Sequence, residues 1–305
     1  MKTNEVRNHL FIVNTRSGKG GSKQYLPLLR ELKKKRRDVF VETTETIEEL
    51  REVLSSYAGI SVARIYAVGG DGTLSCLVSE LVRRGDMRIE VAALPGGTGN
   101  DYIRNLMPRW FFEESPEKQI EAVMKARVKK IDIGRINEGY FVNIASVGLD
   151  ADVIEKSLAF KNSKVLPPKL AYAFSAIYTV LLRKHKKSAT VYLDGQKLEG
   201  DYLLVAIGNG KFYGGGIKVL PEAELSNGFY SIVKVKEMSN WSILRLAKPF
   251  VEGRHKEIKE IETLAGRHLR FVADTKFCVQ YDGELLISKE VEMELLPSAI
   301  KVAVL

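Results

Sequence analysis

The sequence predicts a parallel α/β domain followed by a mainly antiparallel β domain. Strand, loop and helix alternate four times in the first hundred residues, which is typical of a parallel sheet with crossover helices. After about Ile131 the pattern changes to short alternating stretches separated by turn signals. A length of 305 residues accommodates two ordinary domains or one large one.

In the first half, four short apolar runs predict buried strands over 9–13, 39–42, 65–68 and 89–94. Helical spacing of apolar residues predicts helices over 25–32, 46–57 and 74–82. The polar, glycine-rich stretch that follows the first strand is expected to be a loop.

The second half carries three hairpin signals, Asp194-Gly195, Asn227-Gly228 and Asp282-Gly283. Two helical segments, over 168–187 and 240–253, interrupt the alternating strands. We place the domain boundary at 134/135, without a flexible linker. The two domains are then 1–134, to which 295–305 return, and 135–294.

Composition narrows the classes of protein to which the chain can belong. Apolar residues make up 45% and charged residues 28%, which is globular composition and excludes wholesale disorder. The two cysteines, Cys76 and Cys278, exclude a multi-disulfide secreted scaffold and favour a reducing cytoplasm. The amino terminus lacks a signal-peptide pattern, and the most apolar stretch, 170–182, is too short to span a membrane.

The net charge of +9 favours an anionic partner. Basic runs lie at 33–37, 83–84, 125–130 and 183–187, and each run taken alone is better explained as a solvated helix end. Together they indicate contact with an anionic membrane surface, with 170–187 as the best candidate segment or, alternatively, a core helix. The runs contain no stacked aromatic pattern, so we do not expect nucleic-acid binding.

Three glycine-rich loops, at 14–22, 69–73 and 95–101, follow predicted parallel strands. Ligands of such sheets bind beyond the carboxyl ends of the strands, and glycine lets backbone N–H groups approach phosphate oxygens. The first loop lacks the GxxxxGK[ST] spacing of a P-loop and the GxGxxG spacing of a dinucleotide fold. The three loops therefore predict a phosphate-binding site of another type.

Specific motifs extend this prediction. VNTRSGKGG at 13–21, VGGDGT at 68–73 and LPGGTGNDYIR at 94–104 resemble the diacylglycerol kinase catalytic family, which includes bacterial lipid kinases and sphingosine kinases. The resemblance continues through NIASVGLDADV at 143–153, GNGKFYGGGIKVLPEAEL at 208–225 and DGE at 282–284. It implies an N-terminal Rossmann-like domain, similar to NAD kinases and phosphofructokinases, and a C-terminal β-sandwich domain.

The resemblance also implies a reaction, in which the γ-phosphate of ATP moves to a lipid hydroxyl with the help of Mg²⁺. Glu284 would be the general base, and Asp71 would act in catalysis. Asp71 and Asp101 would hold the metal, with Asn227 as a weaker candidate ligand. The residues that would contact the nucleotide are Asn14, Ser17, Gly18, Thr43, Thr44, Gly69, Gly70, Asp71, Gly72, Thr73, Thr98, Asn100, Asp101 and Arg104.

Each assignment has a simpler alternative. Glu284 could be a solvated residue beside a type I′ turn, Asp71 could cap the helix that follows it, and Arg104 could be an ordinary surface residue. The chain also departs from the family pattern. Ser75-Cys76 replaces Asn-Glu, and Asn227 and Ser231 stand where acidic residues are common, which weakens a structural Mg²⁺ site.

We therefore expect a cytoplasmic lipid kinase, peripheral at the inner membrane surface, that converts diacylglycerol to phosphatidic acid. The alternatives are a small-molecule kinase similar to NAD kinase, and a catalytically weakened regulator that binds nucleotide or lipid. The sequence names neither the lipid nor the oligomeric state, and a homodimer stays open.

Overall fold

The computed structural model describes residues 8–58, 60–148 and 189–305. The predicted helix over 168–187, the candidate membrane segment at 170–187 and the end of the motif at 143–153 lie outside these ranges. The chain divides into two compact units. The first ends at Ile133 and also contains Gly214–Gly216 and Pro297–Leu305; the second comprises the described residues of Gly134–Tyr213 and Ile217–Leu296.

The first unit contains five α-helices and two 3₁₀ helices among its described residues. The strands are β1 (Asn8–Asn14), β2 (Val39–Thr44), β3 (Val62–Gly69) and β4 (Glu90–Pro95), with the start of β5 (Arg127–Ile136). The α-helices are α1 (Leu26–Lys35), α2 (Ile47–Ser56), α3 (Asp71–Arg84), α4 (Ile103–Leu106) and α5 (Pro116–Lys125). The 3₁₀ helices are Ser17–Tyr25 and Arg109–Glu113.

The sheet of the first unit is parallel, as predicted. β1 pairs with β2 on one side and with β3 on the other, and β3 pairs with β4. The end of the chain adds a parallel strand, in which Lys301 and Val302 pair with the beginning of β4. Leu10, Phe11 and Val13 of β1 are fully buried, because the central residues of the strand, 10–13, are apolar and covered on both faces.

Two element predictions for this unit need correction. The stretch predicted as a loop after β1 is a 3₁₀ helix over Ser17–Tyr25. Helix α3 was predicted to begin at Leu74 but begins at Asp71, inside the GGDGT motif. In both places the apolar periodicity starts later than the helix, since the first turn of each helix is built from glycine and polar residues.

The second unit is antiparallel, as predicted. Its strands are β6 (Gly139–Phe141), β7 (Ile144–Gly148), β8 (Thr190–Leu193), β9 (Gln196–Lys197), β10 (Tyr202–Gly208), β11 (Tyr230–Lys236), β12 (Ile261–Gly266), β13 (His268–Tyr281) and the first part of β14 (Glu284–Val304). The strand order is β12-β11-β10-β7-β13-β14, with β8 on β13. Alternate residues of these strands form the core, in which Val205, Ile232, Phe271 and Val279 are fully buried.

Two of the three predicted hairpins are confirmed. Asp194-Gly195 joins β8 to β9, and Asp282-Gly283 joins β13 to β14; all four residues have positive φ, as a type I′ turn requires. The prediction for Asn227-Gly228 is wrong. These residues end a long connection between β10 and β11, and the Asn227 side chain accepts a hydrogen bond from the N–H of Phe229 at 3.0 Å.

The predicted helix over 240–253 is confirmed as α6 (Asn240–Val251). Ser239 caps its first turn by accepting a hydrogen bond from the N–H of Ser242. Ile243 and Phe250 pack against a core cluster that includes Ala206 and Val219. In the described part of the chain, none of the helices has the length and apolar composition needed to cross a membrane.

Candidate functional site

The candidate site lies in the first unit, where three glycine-rich segments follow three neighbouring parallel strands. We call these segments loops, although the first includes the start of the 3₁₀ helix Ser17–Tyr25 and the second runs into α3. The loops begin after Asn14, Gly69 and Pro95, the last residues of β1, β3 and β4. Because the strands are adjacent and parallel, these carboxyl ends share one edge of the sheet. The sequence prediction that the loops converge is therefore confirmed.

Glycines let these loops pack backbone against backbone. A Cβ atom on Gly18 would lie 2.3 Å from the carbonyl oxygen of Gly96, and one on Gly97 would lie 2.4 Å from the Cα of Gly70. Neither distance is compatible with a side chain, so these glycines are required by the close approach. A Cβ on Gly70 would also lie 3.2 Å from the hydroxyl of Ser17. Gly70 therefore lies beside both the loop after β1 and the loop after β4.

Asn14 ties the first loop to helix α3. Its side-chain amide donates to the Thr73 hydroxyl at 3.1 Å, and its side-chain oxygen accepts from the N–H of Arg16 at 3.0 Å. The buried Ser22 hydroxyl donates to the carbonyl oxygen of Asn14. The side chain predicted to contact phosphate therefore already holds two partners that fix the loop.

The N-terminus of α3 opens onto the same loops. Gly70 is the N-cap residue, and it provides no side chain to accept a hydrogen bond from the first turn. Gly72 is exposed, and a Cβ there would meet nothing within 4 Å. A helix N-terminus without a side-chain cap has free N–H donors and the positive end of the helix dipole, which together suit an anion.

Asp71 does not cap α3, so that alternative is wrong. Its two carboxylate oxygens instead accept hydrogen bonds from the backbone N–H groups of Asp101, at 3.0 Å, and Tyr102, at 2.8 Å. The carboxylate therefore joins the loop after β3 to the loop after β4. Each oxygen keeps a further lone pair for a metal or a proton donor.

Asn100 shapes the loop after β4. It has a positive φ of 52°, and its side chain both accepts from the N–H of Gly97, at 2.9 Å, and donates to the carbonyl of Gly97, at 3.0 Å. The side chain of Asn100 is thus used inside its own loop. Thr98, between these residues, is exposed.

Asp101 is the most buried carboxylate of the site, with 6% of its surface exposed. One oxygen accepts from the N–H of Gly215 at 2.8 Å, and the other has no hydrogen-bond partner among the residues that the structure describes. Burial raises the pKa of Asp101 above its usual value, and the Asp71 carboxylate adds to the rise, while the N–H of Gly215 opposes it. A buried carboxylate oxygen without a hydrogen bond is costly, so this oxygen is suited to bind a cation or a hydrogen-bond donor.

Arg104 lies beside the same loop. Its guanidinium approaches the carbonyl of Gly99 at 3.4 Å and the free oxygen of Asp101 at 4.0 Å, and it stands 5.5 Å above the ring of Phe112. Arg104 is half-exposed, and a separation of 4.0 Å is too long for a hydrogen bond to the Asp101 oxygen.

Thr43 and Thr44 end strand β2, next to β1. Thr44 is buried, and its carbonyl accepts from the N–H of Thr15 at 2.9 Å. Thr43 is exposed, so of the two it presents its side chain to solvent. Their position beside the first loop follows from the register in which Asn14 pairs with Thr44.

Glu284 and Asn227 lie in the second unit. Glu284 is exposed and pairs with Tyr281 across the turn between β13 and β14. Asn227 uses its side-chain oxygen in the local turn with Phe229. Their roles as base and metal ligand stay predictions.

The sequence analysis missed the role of Asp282, the residue before the turn glycine. Its carboxylate accepts three backbone hydrogen bonds, from Val142 at 2.7 Å, Asn143 at 3.0 Å and Ile144 at 3.1 Å. The Asp-Gly signal identified the turn but not these partners, which lie about 140 positions away in the sequence. Asp282 therefore anchors the turn that carries Glu284 to the start of β7.

The residues of the first unit fit a magnesium ion bound together with phosphate. Asp101 has a buried carboxylate oxygen without a hydrogen bond, and Asp71 lies close enough to raise its pKa. Among the described residues no group of three or more His, Cys, Asp or Glu could hold a metal. Two carboxylates match a Mg²⁺ ion that takes its remaining ligands from water and phosphate.

Two sequence models of known domains match the chain. The diacylglycerol kinase catalytic domain matches residues 8–136, and the YegS C-terminal NAD kinase β-sandwich-like domain matches residues 143–304. The second match alone spans more than half of the 305 residues.

Individual proteins agree with these matches. A protein of Mycobacterium tuberculosis named diacylglycerol kinase is 25% identical over 310 residues, which cover 99% of this chain and 96% of that protein. The crystal structure of a provisionally assigned diacylglycerol kinase from Bacillus anthracis has a TM-score of 0.76 at 22% identity and covers 100% of this chain and 98% of its own.

Yeast NADH kinase, in complex with NADH, shares the fold more distantly. Its TM-score is 0.52 at 10% identity, with 99% of this chain and 84% of that chain covered. Both structural likenesses concern the fold, while the two domain matches concern the sequence along nearly the whole chain. The chain therefore belongs to the diacylglycerol kinase catalytic family, with a C-terminal domain of the YegS type.

Proposed function

We propose that this protein is an ATP-dependent lipid kinase that transfers the γ-phosphate of ATP to the free hydroxyl of diacylglycerol, giving phosphatidic acid and ADP. Membership of the diacylglycerol kinase catalytic family supports the reaction class. The name of the Mycobacterium tuberculosis relative supports diacylglycerol as the acceptor.

One observation of the structure supports nucleotide binding. Three loops meet at the carboxyl edge of the parallel sheet, packed at Gly18 and Gly97 so closely that no side chain fits. They surround the N-terminus of α3, which has no side-chain cap. Backbone N–H groups held rigidly around a helix N-terminus are suited to the phosphates of a nucleotide.

The carboxylates of Glu284, Asp71 and Asp101 would have different roles in the reaction. The lipid hydroxyl oxygen forms a bond to the γ-phosphorus, the bond between that phosphorus and the β-phosphate oxygen breaks, and ADP leaves. The hydroxyl proton passes to the Glu284 carboxylate as general base. Asp71 and Asp101 would hold Mg²⁺, which neutralises phosphate charge when it is bound.

The reaction would take place at an anionic membrane surface on the cytoplasmic side, because the acceptor is a membrane lipid and the chain carries a net charge of +9. The basic run at 183–187 stays a predicted contact outside the described residues. The proposal has no role for nucleic acid.

The direct test is to incubate the protein with γ-labelled ATP, Mg²⁺ and mixed micelles that contain diacylglycerol. Parallel reactions replace the lipid with sphingosine, with a total lipid extract or with NAD. We expect label in phosphatidic acid. Label in NADP would favour the small-molecule kinase, and ATP binding without any labelled product would favour the regulator.

A further inference from the structure

Helix α6 presents an exposed face with an unusual composition. Trp241 is 82% exposed, the highest value among the exposed large apolar side chains of the described residues. Arg245 and Lys248 are exposed too, and they follow Trp241 at intervals of four and three residues. With about 100° per residue, the three side chains lie within about 60° of one another on the helix.

The opposite face of α6 holds the helix on the protein. Ile243 and Phe250 lie about 180° from Trp241 on the same helix, and both pack against the core cluster of the second unit. Trp241 is therefore directed away from the core by the register of the helix. Among the described residues it makes no hydrogen bond and no ring contact.

The charges on the exposed face are positive. Arg245 and Lys248 form no ion pair with any described residue. The acidic residue on the same side of the helix, Glu252, does not pair with either of them. Its carboxylate lies 2.9 Å from the Nε of Arg254, which also pairs with Glu257. The face thus offers one large aromatic ring flanked by two uncompensated cations.

We propose that this face of α6, formed by Trp241, Arg245 and Lys248, docks on the surface of an anionic lipid bilayer. Tryptophan is enriched at the boundary between headgroups and acyl chains, because its ring is apolar and its N–H is polar. Lysine and arginine beside it reach lipid phosphates with their charged ends while their stems stay in the interface. A protein partner would instead require a wider apolar patch around the tryptophan.

Docking through α6 would serve the proposed function, on which this proposal rests, because a kinase held at the bilayer meets its lipid acceptor there. Binding to vesicles is measured without turnover, however. Failure of the docking face and failure of the kinase activity are therefore separate results.

The experiment uses the full chain and sedimentation with vesicles of phosphatidylcholine containing 30% phosphatidylglycerol, a composition of about physiological negative charge. Each cation beside an anionic surface contributes a factor of about five in partitioning. We expect Arg245→Glu with Lys248→Glu to weaken binding at least about 25-fold, and Trp241→Ala about tenfold. The matched control is Lys276→Glu with Lys289→Glu, which makes the same charge change at exposed positions of β13 and β14, outside the predicted basic runs.

Equal losses in the two double variants would overturn the proposal, since net charge alone would then explain binding. A second measurement uses Trp110→Phe, which leaves Trp241 as the sole tryptophan of the chain. We expect its emission to shift to shorter wavelength on anionic vesicles and to be quenched by brominated lipid. Emission that stays unchanged on vesicles, or that shifts with protein concentration alone, contradicts membrane docking.

Kinase activity in detergent micelles with a short-chain diacylglycerol separates the two proposals. The α6 variants should keep full activity in micelles. On vesicles that contain diacylglycerol, their activity should fall together with their binding. Vesicle binding that depends on α6 in a protein without lipid kinase activity would support docking and refute the proposed reaction.

Discussion

Asp282 offers the sharpest test of how the second unit is held together. Its carboxylate accepts hydrogen bonds from the N–H groups of Val142, Asn143 and Ile144, all partly buried. Asp282→Ala leaves three N–H donors without an acceptor. We expect a large loss of stability together with increased hydrogen exchange at these three amides.

The magnitude follows from the bonds. A hydrogen bond to a charged group contributes about 1.5 to 3 kcal/mol, so three bonds at the lower end give roughly 4.5 kcal/mol. Alanine at a φ of 49° adds local strain. Asp194→Ala is a matched control for this strain, because Asp194 has the same φ of 49° in the same type of Asp-Gly turn. The strain therefore cancels when the stability losses of the two variants are compared.

In the control, the Asp194 carboxylate accepts only two hydrogen bonds, from the exposed N–H groups of Arg267 and His268. Water replaces such an acceptor, so Asp194→Ala should cost only about 1 kcal/mol beyond the shared strain. The assay is urea denaturation followed by circular dichroism, with hydrogen exchange read on a peptide that contains residues 142–144. Equal stability losses in the two variants, or unchanged exchange at these amides, would refute the reasoning.

Three further predictions concern the first unit and the reaction. Glu90→Ala should cost about 3–5 kcal/mol in urea denaturation, because its ion pair with the buried Arg64, at 2.8 Å, leaves an unpaired charge when broken. Gly97→Ala should lower both thermal stability and ATP affinity measured by calorimetry, since its Cβ would lie 2.4 Å from a backbone atom, whereas Gly72→Ala should keep the stability. Glu284→Gln should lower kcat about 10² to 10⁴-fold with ATP affinity little changed, and a kcat within threefold of the original would remove it as general base.

The layout of the fold could be read from the sequence because it depends on local patterns. Apolar strands such as Leu10–Val13 and helical spacing such as that of α2 are visible within a few residues. The same holds for the Asp-Gly hairpins, in which the turn residues themselves set the backbone angles. Asn227-Gly228 failed as a hairpin because it is not flanked on both sides by paired strands.

The candidate site could be predicted only in part, because its side chains are defined by distant partners. The glycine loops and the convergence at one sheet edge followed from the motifs and the strand order. Nothing near Asp71 in the sequence indicates that it binds the N–H groups of Asp101 and Tyr102, 30 and 31 positions later. The bond between Asp101 and Gly215 spans 114 positions and was equally invisible.

The measurement that tests the central claim most directly is phosphoryl transfer by the Asp71→Ala variant, with Asp86→Ala as control. Asp71 joins two of the three loops through its carboxylate, whereas Asp86 is an exposed residue after the end of α3. We predict that Asp71→Ala abolishes the transfer of label from γ-labelled ATP to diacylglycerol while its circular dichroism spectrum stays that of the unaltered protein, and that Asp86→Ala keeps full activity. Near-normal transfer by a folded Asp71→Ala protein would contradict the account.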